Sequence, residues 1–114
     1  MKDCLFCRLA AGVGESLIWE NADLAVFADI KPAAKVHWLI VPKAHYDNIL
    51  DLCSTEEGCG VFRRLGEVLP TIVDLAGLTE SGFRLITNCG RDGRQTVEHL
   101  HFHLLGGERL GVHV

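Results

Sequence analysis

The sequence predicts an α+β domain in which an antiparallel sheet packs against one long helix. Two observations favour this class: short strand-like runs occur on both sides of the chain's centre, and one stretch of helical periodicity lies between them. The third is length, because 114 residues suffice for one hydrophobic core but not for two. We therefore expect residues 1–114 to form a single domain.

The first half of the chain contains one predicted helical turn and three predicted strands. Residues 3–10 favour a short helix, and a glycine-rich connection follows it. The three strand-like runs lie at residues 16–19, 24–28 and 36–41. The intervening DIKPAA segment contains a proline and favours a loop. Tight connections in this region favour an antiparallel meander.

Helical periodicity replaces strand alternation between Ser54 and Gly77. The apolar residues that recur at helical spacing are Val61, Phe62, Leu65, Val68, Leu69, Ile72, Val73 and Leu75. Ser54 followed by Glu57 resembles a capping box, and Gly77 suits the helix end. Pro70 lacks a backbone N–H group, so we expect it to kink or split this helix.

Two further strands are predicted after the helix, at residues 82–88 and in the segment EHLHFHLLGG. In that segment His99, His101 and His103 alternate with apolar residues. Side chains two apart in a strand share one face, so the three imidazoles are expected to line up. The apolar residues between them argue against the less specific alternative, a strand with titratable groups on its solvent face.

The spacing of these histidines limits their chemistry. At about 3.3 Å per residue, adjacent histidines have Cα atoms about 6.7 Å apart and the outer two about 13 Å apart. One metal ion cannot comfortably bind all three. Either two of them chelate zinc with another ligand, or the middle one acts as a nucleophile or base.

Cys4 and Cys7 form a C-x2-C pair, whose spacing allows two thiolates to bind one ion. They could equally be small core residues, whereas a redox disulfide is disfavoured because no βαβ pattern surrounds them. Two neutral imidazoles would complete a tetrahedral zinc site. The candidates are His37, His45, His99 and His113.

Composition excludes several classes of protein. The net charge of -4 and the pI near 5.8 disfavour nucleic-acid binding through phosphate contacts. The first residues contain no signal-peptide run, and no 18 consecutive residues are apolar, so we expect a cytoplasmic protein without membrane contact. Five cysteines, an odd number, disfavour a disulfide framework.

The segment HLHFHLL resembles the signature of the histidine triad (HIT) family, in which three histidines alternate with apolar residues. Its flank GRQTVEHLHFHLLGG and the upstream DIKPAAKVHWLIVPKAH resemble the Hint branch of nucleoside phosphoramidases and purine nucleotide hydrolases. The resemblance spans roughly residues 3–107. It implies a HIT-like fold, a five-stranded antiparallel meander with one long and one short helix, and a two-fold homodimer with a continuous sheet.

The resemblance also implies roles for polar residues. His101 matches the nucleophile that attacks the α-phosphorus of a nucleotide, with its Nδ1 proton typically held by a backbone carbonyl on the adjacent strand. His103 matches the histidine that contacts phosphate oxygens, and His37 matches an additional histidine beneath the nucleophile. Thr96 matches a hydroxyl that can bond the leaving amine or phosphate.

A nucleotide pocket is implied around these groups. Asp29 matches the carboxylate that accepts both ribose hydroxyls, whereas Asn88 and Gln95 match further polar contacts. The amides of residues 93–97, including Val97, could donate to phosphate. The residues that match the apolar slot for a purine base are Leu5, Phe6, Leu9, Phe27 and Ile30.

In bacterial members similar to this chain, two cysteines and two histidines bind a structural zinc ion. The matching residues here are Cys4, Cys7, His45 and His99. No organic cofactor is implied. The C-terminal segment ERLGVHV lacks the Trp and Pro that many family members carry there. The resemblance therefore does not indicate which leaving group the protein prefers.

The implied function is hydrolysis of nucleoside 5′-phosphoramidates, such as adenosine 5′-phosphoramidate, through a nucleotidyl-histidine intermediate. One alternative is nucleotidyl transfer, although those relatives carry glutamine in place of His103. The other alternative is a nucleotide-binding or interaction module with incidental catalysis.

Overall fold

The computed structural model describes residue 6 and residues 17–112. Its strands are β1 (Leu17–Glu20), β2 (Leu24–Ala28), β3 (Val36–Pro42), β4 (Phe83–Ile86) and β5 (Phe102–Gly106). Helices α1 (Ile49–Leu52) and α2 (Glu56–Leu75) lie between β3 and β4. The predicted α+β class is confirmed. The predicted helix at residues 3–10 lies outside the described residues except for Phe6, which is helical.

The five strands form one antiparallel sheet in the order β1-β2-β3-β5-β4. Strands β1 to β3 form the expected meander. Beyond them the order differs from a simple meander, because β5 rather than β4 pairs with β3. The strand that carries His103 therefore lies inside the sheet, directly beside the strand that carries His37, and β4 forms an edge.

Helix α2 begins one residue later than the predicted cap. The side chain of Thr55 accepts a hydrogen bond from the Gly58 amide, which makes Thr55 the N-cap residue. The Ser54 hydroxyl instead donates to the carbonyl oxygen of Asp51 at 2.7 Å. The predicted capping box of Ser54 and Glu57 is therefore wrong, because Ser54 lies in the turn that ends the preceding short helix α1, which was not predicted.

Pro70 does not split helix α2, which runs without interruption across it. A proline removes one backbone donor, and burial of the apolar helix face offsets that loss. The helix ends at Leu75 with Ala76 as its C-cap residue, and Gly77, which the sequence suggested as the stop, follows with a φ of 74° in the left-handed region. Among the described residues, neither helix combines the length and the apolar character needed to cross a membrane.

The two faces of the sheet contact different groups. Phe102 and Leu104 of β5 join the main hydrophobic core, which also contains the buried residues of α2. His103 alternates with them and lies on the opposite face, which we call the histidine face. A smaller apolar cluster covers part of this face: Phe6, Phe27, Leu39 and Val41, with Val97 packed against it. The helix face therefore stabilises the sheet, and the histidine face carries the polar groups.

Candidate active site

His101 is held tightly just before β5. Its side chain is 5% exposed, and its ring packs edge-on against Phe6 with centroids 4.8 Å apart. Its Nδ1 lies 2.8 Å from the carbonyl oxygen of His99. A carbonyl can only accept, so Nδ1 carries the proton and Nε2 carries the lone pair. The acceptor was expected on an adjacent strand, but it belongs to the same segment, two residues earlier.

Thr87 holds the backbone at the same position. Its hydroxyl donates to the carbonyl oxygen of His101 at 2.8 Å, which ties the residue after β4 to the segment before β5. Sequence reasoning missed this contact, because Thr87 looks like an ordinary residue at the end of a strand. The one feature of the sequence that could have indicated this contact is the position of Thr87 near the end of a predicted strand.

The three alternating histidines do not form one row. Strand β5 begins at Phe102, so the expectation that all three lie within one strand is wrong. The rings of His101 and His103 have centroids 5.0 Å apart, whereas the ring of His99 faces His45 at 4.7 Å. The histidines therefore divide between two groups with different surroundings.

His103 belongs to a hydrogen-bonded group that includes residues of two other segments. Its Nδ1 lies 2.9 Å from Nε2 of His37, and the same Nε2 lies 3.4 Å from Oδ2 of Asp29. The backbone amide of Ala33 donates to Nδ1 of His37 at 3.0 Å. Burial, followed by the neighbouring His101 and His37, lowers the pKa of His103 to about 4. The ring is therefore neutral at pH 7.

Asp29, His37 and His103 also resemble a metal site, because their ligand atoms all lie within 4.8 Å of one another. The Ala33 amide argues against a metal ion there. Since Nδ1 of His37 accepts from that amide, the proton of the neutral ring is on Nε2, the atom that faces the other two residues. A metal ion needs a lone pair at that atom. The hydrogen-bonded network fits these residues better than a metal site.

His99 and His45 form the second group. His99 is fully buried, and its Nε2 donates to the carbonyl oxygen of Pro42 at 2.9 Å. Nε2 of His45 lies 3.0 Å from Oδ1 of Asp47. Desolvation on burial lowers the pKa of His99. The structure thus brings together two of the four predicted zinc ligands. The other two, Cys4 and Cys7, and the alternative candidate His113 lie outside the described residues.

Only some of the residues predicted to bind the base lie together in the structure. Phe6 and Phe27 pack edge-on with ring centroids 5.8 Å apart, and Val97 packs against their cluster. Ile30 is 91% exposed and does not join that cluster. Leu5 and Leu9 lie outside the described residues. The exposed Thr96 immediately precedes Val97 in the chain.

Asn88 and Gln95 brace the loop before the histidine segment. The side-chain amide of Asn88 donates to the carbonyl oxygen of Gly93 at 2.8 Å. The Gln95 side chain accepts from the Gly90 amide and donates to the carbonyl oxygens of Asp47 and Val97. The backbone amides of residues 94 and 95 also donate within the loop, so they are not directed to a phosphate as we expected. Nucleotide contacts by the two side chains stay a prediction.

Comparison with known proteins agrees with this geometry. A histidine triad protein from Clostridium difficile is 35% identical, covers 100% of both chains and has a TM-score of 0.89. A HIT family hydrolase from Legionella pneumophila is 33% identical, with a TM-score of 0.87 over 96% of this chain and 97% of that chain. The purine nucleoside phosphoramidase of Escherichia coli K12 is 34% identical over 99 residues, 87% of this chain and 82% of the relative.

The match to the family as a whole covers most of the sequence. Residues 12–110 match the HIT domain, a range that includes both histidine groups, strands β1 to β5 and helices α1 and α2. The solved relatives share the same fold over nearly their full length. This chain therefore belongs to the HIT domain family.

Proposed function

We propose that this protein hydrolyses nucleoside 5′-phosphoramidates, such as adenosine 5′-phosphoramidate, to a nucleoside monophosphate and an amine. The observation that carries the proposal is the hydrogen bond from Nδ1 of His101 to the carbonyl oxygen of His99. This bond leaves the lone pair of His101 on Nε2, as nucleophilic attack requires. The similarity to the Escherichia coli purine nucleoside phosphoramidase supports the choice of substrate.

The proposed reaction has two steps. Nε2 of His101 attacks the α-phosphorus, a bond from nitrogen to phosphorus forms, and the bond to the amine breaks as the amine takes a proton from solvent. Water then attacks the same phosphorus, releases the nucleoside monophosphate and returns the electron pair to Nε2. His103, which is neutral at pH 7, stabilises the charge on the phosphate oxygens by donating a hydrogen bond.

Other residues of the histidine face would bind the nucleotide. Asp29 immediately follows β2, and its carboxylate would accept hydrogen bonds from the ribose hydroxyls. The apolar cluster that contains Phe6 and Phe27 would contact the base. Thr96 is exposed and immediately precedes Val97, which packs against this cluster, and it would bond the leaving amine or a phosphate oxygen.

The second histidine group fits a structural zinc ion. The Nε2 protons of His99 and His45 are directed to oxygen acceptors, an arrangement typical of zinc ligands that bind through the other ring nitrogen. Two neutral imidazoles with the thiolates of Cys4 and Cys7 would balance the charge of Zn²⁺. Zinc would cross-link the N-terminal segment to the sheet and would take no part in the reaction.

A second copy of this chain would cover the edge of the sheet. Strand β4 is an edge strand, and Phe83 within it is 44% exposed. A groove of about 250 Å³ lies beside it, lined by Leu69, Pro70, Val73, Thr79 and Phe83. An apolar groove beside an edge strand suits pairing with the same strand of a partner. Light scattering of purified protein tests this homodimer.

Incubation with adenosine 5′-phosphoramidate tests the proposed reaction. We expect His101→Ala to abolish turnover and to leave binding of adenosine monophosphate, measured by calorimetry, nearly unchanged. Cys53→Ala is the matched control, because Cys53 is exposed and follows helix α1, and it should keep full turnover. Turnover that survives in His101→Ala would remove His101 from its role.

The same assay separates the two alternatives. Binding of nucleotide without turnover in the wild type would favour an interaction module. Transfer of the nucleotidyl group to an added sugar phosphate, in preference to water, would favour a nucleotidyltransferase.

A further inference from the structure

Residues 29–35 wrap around His37 and fix its position through backbone groups. The Asp29 amide donates to the carbonyl oxygen of His37 at 2.9 Å. The Lys31 amide donates to Oδ1 of Asp29 at 2.8 Å, which holds the carboxylate beside the ring. The Ala33 amide donates to Nδ1 of His37 at 3.0 Å. The ring therefore meets a donor on one side and a carboxylate on the other.

These contacts determine which nitrogen of His37 carries the proton. A backbone N–H group can only donate, so Nδ1 accepts and the proton is on Nε2. Nε2 faces two acceptors, Nδ1 of His103 at 2.9 Å and Oδ2 of Asp29 at 3.4 Å. If His103 supplied the proton instead, a lone pair of His37 would face the carboxylate, which is repulsive. Both neighbours therefore favour the same tautomer, and the amide, at 3.0 Å from Nδ1, makes the closer contact than the carboxylate at 3.4 Å from Nε2.

The tautomer of His103 follows from that of His37. Because its Nδ1 accepts from His37, a neutral His103 carries its proton on Nε2. His101 has the opposite tautomer, since its Nδ1 donates to the carbonyl oxygen of His99. The two rings, with centroids 5.0 Å apart, therefore offer one lone pair and one N–H donor.

We propose that the Ala33 amide, acting through His37, sets His103 as a hydrogen-bond donor at Nε2 for the anionic group that is transferred to His101. The inference rests on the proposed function, because the donor needs an anion to bind. His37 is a positioning residue in this scheme. It acts on the reaction through His103. We expect variants of His37 to keep the fold and to change the tautomer of His103.

Two variants whose new side chains, Gln and Glu, have nearly the same shape as each other test this role. In His37→Gln the side-chain amide can still donate to Nδ1 of His103. In His37→Glu an ionised carboxylate can only accept, so a neutral His103 must place its proton on Nδ1. Both variants are compared at about pH 9, because Asp29 and burial raise the pKa of the new carboxyl group and an ionised carboxylate raises the pKa of His103. We expect ¹⁵N chemical shifts to report the Nε2–H form of His103 in the wild type and in His37→Gln, and the Nδ1–H form in His37→Glu.

Turnover of adenosine 5′-phosphoramidate should follow the tautomer. We expect His37→Gln to keep kcat within about tenfold of the wild type and His37→Glu to lower kcat by about 100-fold or more, the usual effect of losing one oxyanion donor. The comparison uses kcat because the added charge in His37→Glu also weakens nucleotide binding and raises KM. Equal kcat values in the two variants would overturn the proposal.

A backbone variant tests the origin of the effect without a change of charge. Ala33→Pro removes the donor amide, and Ala34→Pro is its matched control in the same loop. We expect ¹⁵N shifts of a tautomer mixture at His37 and His103 in Ala33→Pro and a single tautomer in Ala34→Pro. An unchanged tautomer in a folded Ala33→Pro variant would show that the amide does not control the ring.

These outcomes are distinguishable from a failure of the proposed function. The ¹⁵N measurements need no substrate, so the tautomers are determined even if no phosphoramidate is hydrolysed. Absence of turnover in the wild type would overturn the proposed function and the role of His103 with it. An Nδ1–H form of His103 in the wild type would overturn the inference alone.

Discussion

Among the histidine rings that the structure describes, two close pairs that share no ring are held in opposite ways. The rings of His45 and His99 have centroids 4.7 Å apart, and each Nε2 faces an oxygen of another residue. The rings of His37 and His103 have centroids 5.1 Å apart and form a hydrogen bond with each other. Ring separation is therefore nearly the same in both pairs, and the hydrogen-bond partners differ.

The partners determine what each pair can bind. Oxygen acceptors on Nε2 leave lone pairs on Nδ1 of His45 and His99, and lone pairs suit a cation. In the other pair, the Ala33 amide donates to Nδ1 of His37, and Nε2 of His37 donates to Nδ1 of His103. The proton of His103 is therefore on Nε2, and an N–H group suits an anion. A short distance between imidazoles is thus insufficient to identify a metal site.

The strongest test of this difference is removal of one ring from the pair of His37 and His103. His103→Ala should lower kcat for adenosine 5′-phosphoramidate by about 100-fold or more, because one donor to the phosphate is lost. His45→Ala, in the other pair, should keep kcat within about threefold for the folded protein. Similar losses in the two variants would mean that the pairs are not functionally separate.

Removal of the buried ring from the other pair should affect stability instead. His99→Ala leaves the Pro42 carbonyl oxygen without its donor and leaves a cavity, so we expect a loss of about 3 kcal/mol in the free energy of unfolding. The backbone carbonyl that accepts from His101 is retained, so the folded variant should keep most of its turnover. Urea denaturation checks the first effect, and an unchanged midpoint would contradict it.

The oxygen partner of His45 offers a smaller test. Asp47→Ala removes an acceptor that orients the ring, and we expect zinc affinity to fall by about tenfold or more. The stability of the zinc-free protein should change by less than about 0.5 kcal/mol, because both side chains are partly exposed. Chelator competition measures the affinity. Unchanged affinity would argue against His45 as a ligand.

The smallest expected effect is a dependence of stability on pH. Burial lowers the pKa of His103 to about 4 in the folded protein, whereas the unfolded chain protonates this ring near about 6.5. Between these values the unfolded state binds more protons, so stability falls as the pH decreases from about 6.5 to 4.

The variant His103→Gln lacks this titration and serves as the comparison. Between pH 7 and pH 4.5 its loss of unfolding free energy should be smaller than that of the wild type by about 1 kcal/mol, after allowance for solvent screening. Parallel urea titrations at the two pH values measure the difference. Equal losses would mean that His103 titrates normally in the folded state.

Sequence patterns predicted much of the fold because they reflect local geometry. Strand-like runs of residues located β2 with its observed bounds and the others within a few residues, apart from β5, which begins four residues later than expected. Helical periodicity located α2, but the choice of Thr55 over Ser54 as its cap depended on the unpredicted helix α1. The insertion of β5 between β3 and β4 depended on long-range pairing, which local patterns do not contain.

The sequence by itself determined which reactive side chains occur in the HLHFHLL segment and that apolar residues separate them. Only the tertiary structure decided which nitrogen of each imidazole carries the proton. The reason is physical: the groups that bind these rings are largely backbone groups, such as the carbonyl of His99, the carbonyl of Pro42 and the amide of Ala33. Almost every residue has such groups, and folding selects which of them meet a ring.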